Sequence, residues 1–339
     1  MEELHIKAVI YKKYGSPDVL QLGEIEKPVP KENEVLIRIY ATTVNRTDCG
    51  FRKPEYPLII RPINGIFKPK RTILGNELAG EIEEVGKAVK TFKQGDQVFG
   101  LSEKFGAHAE YICLSEEAAI VTKPVNMNYE EAAAVCDGLM LGYNLIKEIY
   151  PENKTTFPVE RKKILIYGAS GSIGTATVQL ARYYDAEVTA VCNTKSLELV
   201  KSLGVSKVID YTKEDFTKDD QIYDVVIDAV GKSSFFHCKN LLKKNGIYFS
   251  TDLGFLIQNP FLALWTTIFG RLPSGKKVLF PIPKINKKNM QFFKELIEAG
   301  KYKAVIDRRY TLEQIVEATR YVETEQKTGN VVIVIAHKN

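Results

Sequence analysis

Little in this 339-residue sequence is concentrated. Its five cysteines (Cys49, Cys113, Cys136, Cys192 and Cys238) are odd in number and widely spaced. No CxxC pair and no Cys/His cluster occurs, so neither a disulfide framework nor a structural zinc knot is signalled. No long uninterrupted apolar run occurs either. The greasiest stretch, 253–272, contains Trp265 but is broken by Gln258, Asn259, Pro260, Thr266, Thr267 and Gly270. A spanning helix needs about twenty mostly apolar residues, so this stretch reads as a lid, a subunit contact or a substrate wall. The first residues, Met1-Glu2-Glu3-Leu4-His5, lack a basic region followed by an apolar one, and no signal peptide is expected. With reduced cysteines, that reading places the chain in the cytoplasm. Charge of one sign is lacking too: 47 Lys+Arg against 42 Asp+Glu leave +5, with lysines scattered among glutamates. A nucleic-acid partner is not expected from that balance, and the interruptions in 253–272 argue against a membrane partner. Repeats and low-complexity tracts are absent.

What is present is a chain with 45% hydrophobic residues, long enough for two cores. Residues 7–11 and 34–40 read as strands, the second by alternation of apolar and polar residues. Turns at Gly15-Ser16-Pro17, Lys27-Pro28-Val29-Pro30 and Gln94-Gly95-Asp96 space such strands as in a small antiparallel barrel or sandwich. Residues 52–71, with four prolines, read as a long loop. A helix begins near Tyr129, with acids in its first turn. From there strands and helices alternate: strands over 163–167, 187–192, 207–210, 224–228 and 246–250, and helices over 173–184, 195–203 and from the fourth strand to 244. Continuous apolar strands between helices indicate a parallel sheet covered on both faces. A last amphipathic helix (289–299) and strand (331–335) return to the first domain. The expected domains are therefore 1–127 with 284–339, and 128–283.

The segment Gly168-Ala169-Ser170-Gly171-Ser172-Ile173-Gly174 joins the first parallel strand to its helix. Glycine permits the tight turn and lets backbone N–H groups of Ser170 to Ile173 approach a pyrophosphate at the helix N-terminus. In this strand–turn–helix context the pattern signals a dinucleotide. NAD enzymes place an acid near the end of the second strand, about 20 residues on. Here that place reads Cys192-Asn193-Thr194-Lys195-Ser196, with no Asp or Glu between Glu187 and Glu198. Asn193, Thr194 and Lys195 suit a 2′-phosphate, so NADP(H) is the expected cofactor. Tyr211, after the third strand, is placed to cover the adenine or touch the phosphate.

The glycine turn continues as Thr175-Ala176-Thr177-Val178-Gln179-Leu180-Ala181-Arg182, followed by Leu203-Gly204-Val205 and Val208-Ile209-Asp210-Tyr211. Earlier come Gly75-Asn76-Glu77-Leu78-Ala79-Gly80-Glu81-Ile82-Glu83-Glu84-Val85-Gly86 and Gly95-Asp96-Gln97-Val98-Phe99-Gly100. Together, in order over nearly the whole chain, they resemble the medium-chain dehydrogenase/reductase superfamily, and within it the zinc-independent quinone oxidoreductase group. The resemblance implies an α/β protein with a GroES-like, β-rich catalytic domain and a Rossmann, doubly wound parallel-sheet domain, commonly a homodimer. It implies that Ala229, Val230 and Gly231 contact the nicotinamide ribose.

Departures from the family pattern bear on the chemistry. Where zinc-dependent members carry Cys, His and Cys ligands, this chain has Asn45, Asn76 and, near the last position, Cys136. One thiol with a carboxylate is a poor zinc site, so no metal is expected. Dehydrogenating an alcohol without a metal to acidify it is difficult. Hydride addition to a small hydrophobic quinone or α,β-unsaturated carbonyl is easier, if donors stabilise the charge that develops on oxygen. The resemblance makes Asn45 the first candidate donor and puts Thr47 at the position of a proton-relaying hydroxyl. Asp48 is read as orienting or capping the loop around them. Glu77 is read as pairing with a cation, and Tyr56 and His108 as loop residues near the site. Two alternatives stay open: an alcohol dehydrogenase with a residual metal site at Cys136 and Glu77, and a non-catalytic NADPH-binding protein.

Overall fold

The computed structural model describes residues 4–54, 57–151, 161–253, 258–280 and 282–337, with the backbone alone for 57–60. Tyr56 lies outside the described residues, as does part of the apolar stretch at 253–272. The alternation over 34–40 becomes the central strand of the first unit. Val35, Ile37 and Ile39 point into a core with Leu78, Ile82, Val98, Ile120, Val331 and Ile333. The strands of this part are β1 (His5–Ile10), β2 (Gln21–Glu26), β3 (Glu34–Val44), β4 (Glu77–Val85), β5 (Gln97–Leu101), β6 (Tyr111–Ser115) and β7 (Ala119–Thr122). The next six are β8 (Lys163–Tyr167), β9 (Glu187–Cys192), β10 (Lys207–Asp210), β11 (Tyr223–Asp228), β12 (Leu242–Ser250) and β13 (Lys277–Leu279). The chain then returns through β14 (Ile306–Thr311) and β15 (Asn330–Val334).

Among the described residues, one sheet runs β14-β15-β3-β4-β5-β7, with β6 also on β3. All its pairs are antiparallel except β14 with β15. The other sheet runs β10-β9-β8-β11-β12-β13 and is parallel throughout. That order reverses direction beside β8, the doubly wound Rossmann pattern. Its strands are apolar along their length because both faces are covered: Leu165, Val191, Ile209, Val226, Tyr248 and Val278 form one core.

The chain divides into two compact units, Met1–Asp137 with Ile285–Asn339, and Gly138–Lys284. The segment 128–137, expected with the second domain, belongs to the first. Asn128 caps helix Tyr129–Ala133, and the Tyr129 ring stacks on Tyr40 of β3 at 4.7 Å.

Three readings of the sequence are corrected. The loop at 52–71 contains helix Pro57–Asn64. Pro57 opens it at the position where proline loses no hydrogen bond, and the short helix also accommodates Pro62 inside it, so the proline count there misleads. The helix expected to run to 244 is a single turn, Phe235–Cys238, and a 3-10 turn, after which β12 begins at Leu242. The return carries more than one helix and one strand: β14 and helix Ile315–Glu323 are also there. The Arg-rich alternation Ile306–Thr311 lacks an apolar signal because the strand is largely exposed.

Candidate active site

In the second unit, β8 ends at Tyr167 and a turn leads into helix Ser172–Tyr183. Gly168 has φ +80°, a left-handed conformation that side chains resist. A Cβ on Gly174 would lie 2.0 Å from the Gly168 carbonyl oxygen, so close helix–strand contact dictates this glycine. Gly171 is the N-cap and brings no capping side chain. Ser170, Gly171, Ser172 and Ile173 are half-buried, and a Cβ on Gly171 would meet no atom nearer than 3.7 Å. Uncapped N–H groups at the positive end of a helix dipole, with room before them, fit a pyrophosphate.

Beside this turn the second strand ends in a 3-10 turn, Thr194–Ser196. Asn193 caps it, accepting from the Ser196 N–H at 3.1 Å. Thr194 donates to Asp210 Oδ2 at 2.5 Å and lies 3.0 Å from the Thr212 hydroxyl. The expectation that no carboxylate stands here is therefore corrected. β10 lies next to β9 with Asp210 opposite Cys192, so the acid arrives from the neighbouring strand. Hydroxyls of Thr194 and Thr212 hold Asp210 below the usual carboxylate range, and Lys213 lies 3.7 Å away. Lys195 is exposed. Tyr211 is also largely exposed, its ring edge-on to Tyr167 at 6.0 Å. At the end of β11, the buried Asp228 accepts from the N–H groups of Val230, Gly231 and Ser233 at 3.1, 2.8 and 2.7 Å. That fixes the turn Ala229–Gly231, in which the Ala229 N–H donates to the Tyr167 carbonyl at 3.0 Å.

In the first unit, Asn45 follows β3 and caps helix Arg46–Arg52. Its Oδ1 accepts from the Asp48 N–H at 3.1 Å, and Asp48 Oδ2 accepts from the Asn45 N–H at 3.0 Å. This reciprocal box is the capping role read for Asp48. Asp48 Oδ1 also accepts from the Gly75 N–H at 2.9 Å. The Asn45 amide donates to Asn76 Oδ1 at 2.7 Å and to Glu77 Oε2 at 3.2 Å. Both of its protons are thus engaged, and the side chain is positioned more than it is presented. Thr47 lies in the first helical turn, half-buried, and its hydroxyl has no hydrogen-bond partner among the described residues.

Glu77 is fully buried. It accepts from the Thr43 hydroxyl, from Asn45 and, at 2.7 Å, from the Asp137 N–H. Asn76 donates to Asp137 Oδ1 at 3.2 Å. Burial, and then the charge of Asp137, push Glu77 up to about 8. Burial, and then Asp48, push Asp137 up as well. Lys327 supplies opposing charge and draws Asp137 down; its ammonium donates to the Gly329 carbonyl at 2.6 Å. His108 is buried, with Nε2 2.8 Å from the Thr43 carbonyl. A carbonyl only accepts, so Nε2 carries the proton and the ring ties β3 to its loop. Sequence reasoning missed Thr43, Asp137 and Lys327, which no motif joins to Asn45.

A zinc ion does not fit this donor set. The Cys136 thiol donates to the Ala132 carbonyl at 3.3 Å. Burial and the acids Glu77 and Asp137 push it well above the ordinary thiol value, away from the thiolate that binds metal. The two asparagines satisfy each other and the carboxylates. Among the described residues, no group of three or more His, Cys, Asp or Glu is placed to hold a metal.

A family model described as an alcohol dehydrogenase GroES-like domain matches residues 31–125, and one described as a zinc-binding dehydrogenase matches 203–333. The chain is 33% identical to a 2-methylene-furan-3-one reductase of Solanum lycopersicum, over 97% of this chain and 79% of that one. It is 32% identical to an NADPH-dependent alkenal/one oxidoreductase of Arabidopsis thaliana, over the same shares. Among solved structures, the quinone oxidoreductase of Coxiella burnetii superposes with a TM-score of 0.82 at 23% identity, covering 98% of this chain and 100% of the other.

Proposed function

Because this chain belongs to the medium-chain dehydrogenase/reductase superfamily, in its quinone oxidoreductase-like branch, we propose that it reduces quinones or α,β-unsaturated carbonyl compounds with NADPH and without zinc. The observation that carries this reading is the Asn45–Asn76–Glu77 network, in which every group at the family's metal position is engaged with another protein group. The relatives named as alkenal/one and furanone reductases support the acceptor class, and the NADPH dependence named for one of them supports the cofactor.

When bound, NADPH supplies the hydride that adds to the electron-poor carbon of the acceptor. The N–H groups of Ser172 and Ile173 at the uncapped helix end, with Ser170 and Gly171 shaping the turn before them, would hold the pyrophosphate, and the turn Ala229–Gly231 would contact the ribose. Lys195 reads the 2′-phosphate with Asn193, Thr194 and Tyr211 around it; Lys213 and two hydroxyls offset the charge of Asp210. In the first unit, Thr47 presents the uncommitted hydroxyl. It donates to the acceptor oxygen as negative charge develops there, which lowers the barrier. Asn45 and Asp48 hold Thr47 in place through the capping box.

The protein acts as a homodimer in this reading. Strand β13 is the edge of the parallel sheet, and helix Gln258–Phe269 leaves Phe261, Leu264, Ile268 and Phe269 each more than half exposed. A second copy would cover both. Five free cysteines suit the reducing cytoplasm.

The test is NADPH oxidation by chelator-dialysed protein against a panel of quinones and 2-alkenals. Turnover that survives chelation is expected. No turnover with any acceptor, or stoichiometric zinc with chelator-sensitive alcohol oxidation, would overturn the proposal.

A further inference from the structure

From Pro57 to Asn76 the chain carries Arg61, Lys68, Lys70 and Arg71 and no Asp or Glu. Within these twenty positions only one sign of charge is present. The same stretch leaves Ile63, Ile66 and Phe67 in solvent, at 57, 60 and 94% exposure. Single exposed apolar residues are ordinary; three within five positions, the last almost wholly bare, are not.

The loop is nevertheless built. Asn64, a polar residue, is fully buried while its apolar neighbours are not. Its Nδ2 donates to the Tyr11 hydroxyl at 3.1 Å, its Oδ1 accepts from the Arg71 N–H at 3.3 Å, and its carbonyl accepts from the Lys70 N–H at 2.5 Å. The Tyr14 hydroxyl donates to the Gly65 carbonyl at 2.7 Å. Arg71 lies over the rings of Phe51 and Phe105, which anchors the far end. The hub at Asn64 holds the turn that carries the exposed Ile63, Ile66 and Phe67, and Arg61, Lys68 and Lys70 of the same stretch are exposed as well.

We propose that this loop docks the protein on a bilayer surface containing anionic lipid. Phe67, Ile66 and Ile63 enter the headgroup–acyl boundary while Arg61, Lys68 and Lys70 meet the headgroups. Charge complementarity selects this occupant: an acid-free stretch seeks an anionic surface, and bare apolar side chains among cations suit an interface that is apolar below and anionic above. Contact is peripheral, since among the described residues no helix is long and apolar enough to cross a membrane. Docking needs neither cofactor nor acceptor, so it stands apart from the proposed reaction.

The experiment is flotation of the full chain with vesicles of phosphatidylcholine, alone or mixed with phosphatidylglycerol. Binding is expected to the mixed vesicles only and to weaken as salt rises. Lys68→Glu with Lys70→Glu should lower the partition coefficient about thirtyfold or more. Phe67→Asp should lower it at least about tenfold. The altered side chains are exposed, so circular dichroism and the thermal midpoint should match the parent. Failure to float with the mixed vesicles, or flotation that neither variant weakens, overturns the proposal. So does a change of oligomeric state on Phe67→Asp, which would assign the loop to a protein contact.

Discussion

The nucleotide turn of the second unit and the Asn45 network of the first are built on opposite principles. The turn works through backbone: of seven consecutive residues, three of them glycine, the N–H groups of Gly168, Ala169 and Gly171 donate to protein carbonyls, while those of Ser172 and Ile173 open a helix that no side chain caps. The network works through side chains drawn from distant segments, namely Thr43, Asn45 and Asp48, then Asn76 and Glu77, then Asp137 and Lys327. In the turn, donors are left unsatisfied so that a ligand can satisfy them. In the network, nearly every donor has a partner, and the hydroxyl of Thr47 stands out because it does not. A site made of backbone tolerates little change at its glycines, whereas a network of side chains can be altered one hydrogen bond at a time.

The widest separation should come from two glycines three residues apart. Gly174→Ala forces a Cβ to within 2.0 Å of a backbone oxygen, so the helix must move. We expect a loss of about 3 kcal/mol in stability and a fall in NADPH affinity of about a hundredfold or more. Gly171→Ala meets no atom closer than 3.7 Å and should cost less than about 1 kcal/mol. It should still weaken NADPH about tenfold, because the methyl fills the cradle. Thermal unfolding and fluorescence titration measure both. If Gly171→Ala binds NADPH like the parent, the cradle is not the phosphate site.

Within the network, Thr47→Val should be nearly silent in stability, within about 0.5 kcal/mol. It should lower kcat about a hundredfold and leave the NADPH dissociation constant unchanged. Asn45→Ala should do the reverse in part: it removes an N-cap and leaves Asn76 and Glu77 short of a donor, costing roughly 2 kcal/mol. Steady-state kinetics beside thermal melts separate them. Equal kinetic loss in two proteins of equal stability would return the donor role to Asn45.

Much of the turn was legible because its requirements are local. Strand, glycine spacing and helix follow one another, and 163–167 and 187–192 read as strands with the bounds they have. Less was legible where a partner comes from a neighbouring strand. The absence of an acid at the end of β9 pointed to a phosphate, yet Asp210 on β10 reaches Thr194. In the first unit the sequence marks Asn45 and Asn76 by their departure from zinc ligands, but not their mutual hydrogen bond, which makes each less available. Lys195→Ala tests the exposed cation that follows Thr194 in the chain. Removing a charge-assisted hydrogen bond to the 2′-phosphate should weaken NADPH about tenfold or more, with NADH little changed. Equal losses for both cofactors would mean that Lys195 does not read the phosphate.

The smallest effect, and the sharpest probe of the network's electrostatics, is the pH dependence carried by Glu77. An ordinary glutamate titrates near ~4.3; here burial and Asp137 raise the folded value to about 8. The folded state therefore holds the proton more tightly than the unfolded one. The stabilisation that follows is full below the unfolded value and is lost as pH rises through the folded one. Stability should thus decline from mildly acidic to mildly alkaline pH. Glu77→Gln keeps an oxygen to accept from the Asp137 N–H but cannot ionise, so its thermal midpoint should fall less over the same range. The difference should be about 1 kcal/mol or a little more. Parallel pH profiles for parent and variant would mean that Glu77 does not titrate over this range and stays ionised near Lys327, with any titration of the network falling on Asp137 or Asp48.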